Sequence, residues 1–389
     1  MHKRLAMLGL LALLAPLVAP KAAERRAGPV SPLAKLHESW FLQHVHGKRV
    51  VVDGHTLDLR VQYLLSRYRK ADKKKSGAPT VATAQGRAKI RQMAAREWLI
   101  DTEIPPAVAS VKDYEVPGRG GAIHVRVYHP RVSGTLPIIV YFHGGGWFFG
   151  NVAATDRSNQ LLAADAKVIV VAVDYRLAPE FPYPAAWNDA QDAYAWAAKE
   201  ATRLGGSPAD ICVGGDSAGA DLSIAVTRRQ QTAGELVPVC QLLYYPAPDD
   251  RPVDVMRKTY RSARLFGKGF GLDRSFMDYV LPAVFQHRDP KDPEISPIFA
   301  KSVAGMPPTF FAIAFFDPLR DSQRDYAARM VRAGDEVTFW EFPTLAHGFL
   351  QMTAVSPAAQ LAATQTAYAF GAFARYAAKL DAQMRNPQR

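Results

Sequence analysis

A serine hydroxyl attacks a carbonyl at neutral pH only when a nearby base takes its proton and a third group holds that base in the right tautomer. Ser217 has the setting for such a role. It sits in Gly215-Asp216-Ser217-Ala218-Gly219, directly after the apolar run Ile211 to Gly214 and directly before a helical stretch that begins at Ala218. A strand that turns at once into a helix brings backbone close to the serine on both sides, and glycine tolerates that approach. The five-residue pattern alone is common. Its strand-turn-helix context is what separates a nucleophile from a serine that merely caps a helix.

Upstream, His143-Gly144-Gly145-Gly146-Trp147 follows the apolar run Ile138 to Phe142. Successive glycines let backbone N–H groups face a site with no side chain in the way, as a tetrahedral oxyanion requires. The competing reading is an ordinary glycine turn beside a core histidine. For the base, His347 in Leu345-Ala346-His347-Gly348-Phe349 follows the last expected strand, and Asp317 in Phe316-Asp317-Pro318-Leu319 follows the strand before it. Both fall at strand C-terminal ends, the edge where sites form in parallel sheets, and the order Ser, Asp, His suits this arrangement. Asp321 and Asp325 fall inside the next helix, His287 in an insertion, and His37, His44, His46 and His55 in the N-terminal region. Asp216 adjoins the nucleophile but points to the other side of the turn, which gives it a structural role.

These residues need a sheet to hold them. After Pro105-Pro106 short apolar runs alternate with helical stretches, the signature of a mostly parallel sheet flanked by helices. Strands are expected at Ala122 to Tyr128, Ile138 to Phe142, Val168 to Val173, Ile211 to Gly214, Val239 to Tyr244, Phe310 to Ala314 and Val337 to Phe342. Helices are expected at 154–166, 184–203, 218–233, 321–333 and 358–380. The catalytic α/β domain thus spans residues 105–380. Residues 249–297 break the alternation with the aromatic and basic stretch Tyr260 to Tyr279, and read as an insertion that climbs over the sheet edge. Residues 31–100 read as a small helical cap, with a breaker-rich segment from Lys73 to Thr83. Its helices are too few to bury a core alone and should rest on the catalytic domain.

Residues 1–23 read as an export signal, with His2-Lys3-Arg4 ahead of the apolar stretch Leu5 to Val18. That stretch is short for a membrane span. Cleavage would send the protein to the periplasm or the medium; an uncleaved, membrane-tethered N-terminus is the alternative. The net charge of +12 is spread along the chain, apart from the run Arg67 to Lys75, with no nucleic-acid motif, so a solvated basic surface, with some peripheral membrane contact, is the expectation rather than nucleic-acid binding. Cys212 and Cys240 each lie in a buried-strand run, where packing accounts for them better than a disulfide or a metal. No metal-ligand spacing is present.

Taken together, the motifs resemble the hormone-sensitive-lipase family of α/β-hydrolase esterases, marked by an HGGGW stretch and a GDSAG elbow. Both stand unaltered as His143 to Trp147 and Gly215 to Gly219, joined by Asp174 to Glu180, Phe181 to Pro184, Asp317 to Asp321 and His347 to Phe349. The likeness covers about Val111 to Ala378. It implies that Ser217 attacks an ester carbonyl, that His347 serves as base and then acid, and that Asp317 orients the imidazole. The donors of the oxyanion hole correspond to Gly145, Gly146 and Ala218. It further implies an acyl-enzyme, short- to medium-chain acyl esters as small-molecule substrates, no cofactor or metal, and Arg176 and Glu180 bracing the loop behind the site. Phe315 and Ser322 depart from the family's usual residues without removing a catalytic group. Trp147, Phe148 and Phe149 are expected to line the pocket. The family also includes plant gibberellin receptors, which lose the triad histidine; His347 is present here and favours an enzyme over a non-catalytic binder. An amidase or peptidase is the other alternative.

Overall fold

The computed structural model describes residues 30–73 and 81–385. The expected export signal lies outside them, as does most of the breaker-rich segment. An eight-stranded sheet forms the centre, built from β1 (Ser110–Gly118), β2 (Gly121–His129), β3 (Leu136–Phe142), β4 (Ile169–Asp174), β5 (Gly206–Asp216), β6 (Gln241–Tyr244), β7 (Thr309–Phe316) and β8 (Val337–Ala346). Its spatial order is β8-β7-β6-β5-β3-β4-β2-β1; β2 pairs antiparallel with both neighbours and every other pairing is parallel. Every residue of β3 and β7 is buried, as strands covered by helices on both faces must be.

One flank of the sheet carries α4 (Asp156–Ala166) and α11 (Pro357–Arg385), and the other α5 (Ala185–Glu200), α6 (Ala218–Ala233) and α10 (Arg320–Arg332). Helix α6 ends at Gly234 in the left-handed conformation, where its N–H returns to the last-turn carbonyls of Gln230 and Gln231. No described helix is long and apolar enough to cross a membrane.

Strand β1 was not among the expected strands. Only one of its residues, Val116, is buried, and its exposed positions Lys112, Asp113 and Glu115 hide the alternation that betrays a strand. It is an edge strand, held mainly by its hairpin with β2.

Ahead of the sheet lie α1 (Glu38–His44), α2 (Leu59–Lys73) and α3 (Ala84–Asp101), with a two-residue ladder pairing Val51–Val52 with His55–Thr56 between the first two. Leu57, Leu59, Leu64 and Leu65 are buried in the same core as β6, β7 and α11, so these helices have no core apart from the sheet domain. Backbone bonds pin them there: Asp58 N–H to Thr344 O at 2.8 Å and Ala354 N–H to Asp101 O at 2.8 Å. Between β6 and β7 the chain makes α7 (Val253–Thr259), α8 (Arg261–Phe266) and α9 (Arg274–Phe285), which share a small apolar cluster of their own with Leu319.

The cysteines correct the sequence reading. Cys212 and Cys240 form a disulfide with Cα atoms 4.7 Å apart, and both are fully buried. The register of β5 and β6, with Val213 opposite Gln241, sets the preceding residues of two neighbouring strands side by side. Which strands become neighbours is a tertiary fact, and it decides whether two buried cysteines can bond.

Candidate active site

Ser217 stands where β5 meets α6, with φ 54° and ψ −124°. A non-glycine residue held there is strained, and the strain persists because its surroundings leave no alternative. Gly219 makes the turn feasible: a Cβ at that position would lie 1.9 Å from the Phe142 carbonyl oxygen, so any side chain would push the elbow off β3.

The triglycine loop at the end of β3 bends back toward this turn. Gly145 has φ +110°, and a Cβ there would meet the Phe149 carbonyl oxygen at 2.6 Å. Among the described residues the N–H groups of Gly145, Gly146 and Ala218 donate to no protein acceptor. Asp216 fixes the loop against the elbow: Gly144 N–H donates to its Oδ1 at 3.0 Å, Tyr141 Oη–H to the same oxygen at 3.2 Å, and Gln351 Nε2–H to Oδ2 at 3.1 Å. Burial pushes this carboxyl up, with the Gln351 bond the largest opposing influence. His143 is buried, donates from Nδ1 to Gly144 O at 2.8 Å and stacks on Tyr175.

The three expected side chains come together at the C-terminal ends of β5, β7 and β8. Asp317 Oδ2 is 2.8 Å from His347 Nδ1, and His347 Nε2 is 3.0 Å from Ser217 Oγ. A carboxylate only accepts, so Nδ1 carries the proton and Nε2 is free to accept from the serine. Asp317 is fully buried; Leu319 N–H donates to its Oδ1 at 2.8 Å and Gln323 Nε2–H to its Oδ2 at 3.3 Å. Those donors hold the acid in a loop where Phe315 packs under the Arg320 guanidinium, 4.4 Å from the ring centroid. No group of histidine, cysteine or acidic residues able to hold a metal occurs among the described residues.

A pocket of about 640 Å³ opens over Ser217. Trp147 and Phe149 line it, together with Leu65 and Trp98 from the N-terminal helices and Phe276 and Met277 from α9. Phe148 does not: it is fully buried, with its ring against Tyr279 and the Arg91 guanidinium. Three consecutive aromatic residues on a tight turn cannot all face one way, and Phe148 takes the side toward α3. Phe149 stacks on Phe276 with ring centroids 5.2 Å apart, joining the glycine loop to the insertion.

Glu180 does more than brace a loop. Arg87 Nε and Arg91 Nη2, both on α3, each donate to its carboxylate at 2.8 Å, and Arg91 also reaches the carbonyls of Phe148 and Ala178. Burial pushes this carboxyl up, but the Arg91 and Arg87 guanidiniums outweigh it and bring it down to about 2. Arg176 pairs instead with Asp189 at 2.7 Å. The motif residue Glu180 was visible in the sequence; its partners, ninety positions upstream on a helix with no motif of its own, were not.

Comparison with known proteins places these features in context. A family model described as alpha/beta hydrolase fold matches residues 139–351. The chain is 37% identical over 316 residues to the carboxylic ester hydrolase LipN of Mycobacterium tuberculosis, covering 79% of this chain and 80% of that protein. It is 37% identical over 242 residues to the carboxylesterase NlhH of the same organism, covering 61% and 74%. Among solved structures, an alpha/beta hydrolase enzyme from the metagenome of Lake Arreo, Spain, superposes with a TM-score of 0.74 at 32% identity, over 82% of this chain and 98% of the other. The Pyrobaculum calidifontis esterase gives 0.68 at 30% identity, over 80% and 98%.

Proposed function

The chain belongs to the alpha/beta hydrolase fold family and is a serine carboxylic ester hydrolase, and we propose that Ser217, His347 and Asp317 carry its reaction on esters of short to medium acyl length. The observation that carries the assignment is the continuous relay from Asp317 through His347 to Ser217, at 2.8 and 3.0 Å, beneath the unpartnered N–H groups of Gly145, Gly146 and Ala218.

The chemistry follows from that geometry. His347 Nε2 takes the proton from Ser217 as Oγ bonds to the ester carbonyl carbon, and the carbonyl π electrons move onto oxygen. The N–H groups of Gly145, Gly146 and Ala218 stabilise that oxyanion; one such donor is typically worth about 100 to 1,000-fold in turnover. Collapse of the intermediate breaks the bond to the alcohol oxygen, which leaves with the proton from His347 Nε2 and yields an acyl-Ser217. Water then attacks the acyl carbon, giving its proton to His347, and the acid departs as the proton returns to Ser217. Asp317 keeps its charge throughout and stabilises the imidazolium.

Export is part of the same reading. A fully buried disulfide is a cross-link that persists in oxidising compartments, and the basic, then apolar N-terminus suits passage to the periplasm or beyond. The test of function is hydrolysis of p-nitrophenyl esters from acetyl to palmitoyl by the native protein and by Ser217→Ala. Turnover of the shorter esters, abolished in the variant, is expected. Equal activity in both proteins would remove Ser217 from the mechanism.

A further inference from the structure

The glycines that follow β3 leave room for an oxyanion, but a glycine backbone holds no one conformation by itself. A donor has its full effect only when it is fixed within hydrogen-bond distance of the place where charge develops. Asp216 pins the start of the loop through the Gly144 N–H. The next peptide is pinned through its carbonyl: Phe148 N–H and Phe149 N–H both donate to Gly145 O, at 3.1 and 2.9 Å. The Gly145 carbonyl and the Gly146 N–H belong to one planar trans peptide unit and point in opposite directions. Two bonds on that oxygen therefore aim the Gly146 N–H, one of the three oxyanion donors.

The chain of bonds continues one peptide further, into the N-terminal helices. Phe148 O and Phe149 N–H share the next planar unit, and Arg91 Nε–H, 57 positions upstream on α3, donates to Phe148 O at 2.8 Å. Arg91 Nη2–H donates to Ala178 O at 2.7 Å and to Glu180 Oε2 at 2.8 Å, and the guanidinium lies 5.1 Å from the centroid of the Phe148 ring. Ala178 N–H in turn donates to Trp147 O at 2.9 Å, so the fork grips the glycine loop and the segment bonded to it together. One relay runs from the Arg91 guanidinium to Phe148 O, from Phe149 N–H to Gly145 O, and from Gly146 N–H to the oxyanion. A cationic donor at its head polarises each bond that follows.

We propose that Arg91 is a positioning residue for the oxyanion hole, aiming the Gly146 N–H through the Phe148 and Gly145 carbonyls. The inference rests on the esterase reading above and deepens it. Glu180 holds the guanidinium in place, so α3 takes part in the reaction without touching the reacting atoms. Arg87 supplies the comparison. It bonds the same carboxylate from the same helix, but its other bond goes to Val81 O rather than to the glycine loop.

The experiment compares the native protein with Arg91→Ala and Arg87→Ala on p-nitrophenyl butyrate. Losing Arg91 loosens one donor without deleting it, so kcat should fall by at least about tenfold, short of the loss typical of a deleted donor, with KM held within about threefold. Arg87→Ala should keep kcat within about twofold of native. Two inhibitors separate a misaimed donor from a loosened helix. A trifluoromethyl ketone adds Ser217 Oγ at its carbonyl carbon and leaves an oxyanion in the hole, whereas the methyl ketone of the same chain length reports binding to the pocket. The preference for the trifluoromethyl ketone should drop at least about tenfold in Arg91→Ala and stay as native in Arg87→Ala. If Arg91→Ala does not fold, Arg91→Lys decides: an ammonium keeps the charge toward Glu180 but not the fork, and the preference should still drop at least about threefold. A folded Arg91 variant with native kcat and native preference, or equal losses in Arg87→Ala, overturns the proposal. A native protein that neither cleaves the ester nor binds the trifluoromethyl ketone overturns the esterase reading instead.

Discussion

Replacing Cys212 and Cys240 together with alanine removes a covalent tie between β5, which delivers Ser217, and the entry to β6. The bond spans a sequence separation of 28. With loop-closure entropy of −2.1 − 1.5R ln n, a loop of that size restricts the unfolded chain by about 12 cal/mol/K, or roughly 3.6 kcal/mol at 25 °C. Loss of two buried sulfur atoms adds a small cavity cost of about 1 kcal/mol. The fold itself should survive, because the parallel pairing from Val213–Gln241 to Asp216–Tyr244 does not depend on the sulfurs. Urea unfolding, followed by tryptophan fluorescence and by residual ester hydrolysis, reads the effect. With a slope of about 3 kcal/mol/M the midpoint should fall by somewhat more than roughly 1 M. Reductant added to the folded native protein should leave activity intact, since both sulfurs are fully buried, and should act only once denaturant opens the β5–β6 pair. An unchanged midpoint would refute the reasoning. So would a native protein whose two thiols are both alkylated in denaturant without reductant.

Glu180→Gln should loosen α3 from the catalytic domain. The drop from 4.5 to about 2 is worth roughly 3 kcal/mol at full weight, and screening of a side chain that is 33% exposed reduces this to about 1 kcal/mol. Because the folded-state value is depressed, this stabilisation is present above pH 4.5 and is lost as the pH falls from there toward 2. The native protein and the variant should therefore differ in urea midpoint at neutral pH and converge in acid; a difference that persists at the lowest pH would count against the ion pairs. Asp317→Asn should leave the fold intact and lower kcat by about 10⁴-fold, since an amide facing Nδ1 favours the tautomer that cannot accept the Ser217 proton. A loss of only a few-fold in a stopped assay would mean that another group orients His347.

The parts of the site readable from the sequence are those set by near neighbours in the chain. A glycine-flanked serine between a strand and a helix, a run of glycines after a strand, and an aspartate and a histidine each closing an apolar run all state their backbone conformation within a few residues. The apolar runs also mark which segments are covered on both faces, and hence that the sheet is mostly parallel with the site at its C-terminal edge. Edge strand β1 escaped because Lys112, Asp113 and Glu115 face solvent and carry no burial period.

What the tertiary structure alone decided concerns partners far apart in the chain. The Cys212–Cys240 bond needed the β5–β6 register, and the exclusion of Phe148 from the pocket needed α3 to occupy its side of the glycine loop. The clasp of Arg87 and Arg91 on Glu180 joins two segments that share no motif. Backbone conformation and burial period are local properties of a sequence. A side chain's electrostatic partners, or their absence, depend on which surfaces the packed core brings within a few ångströms.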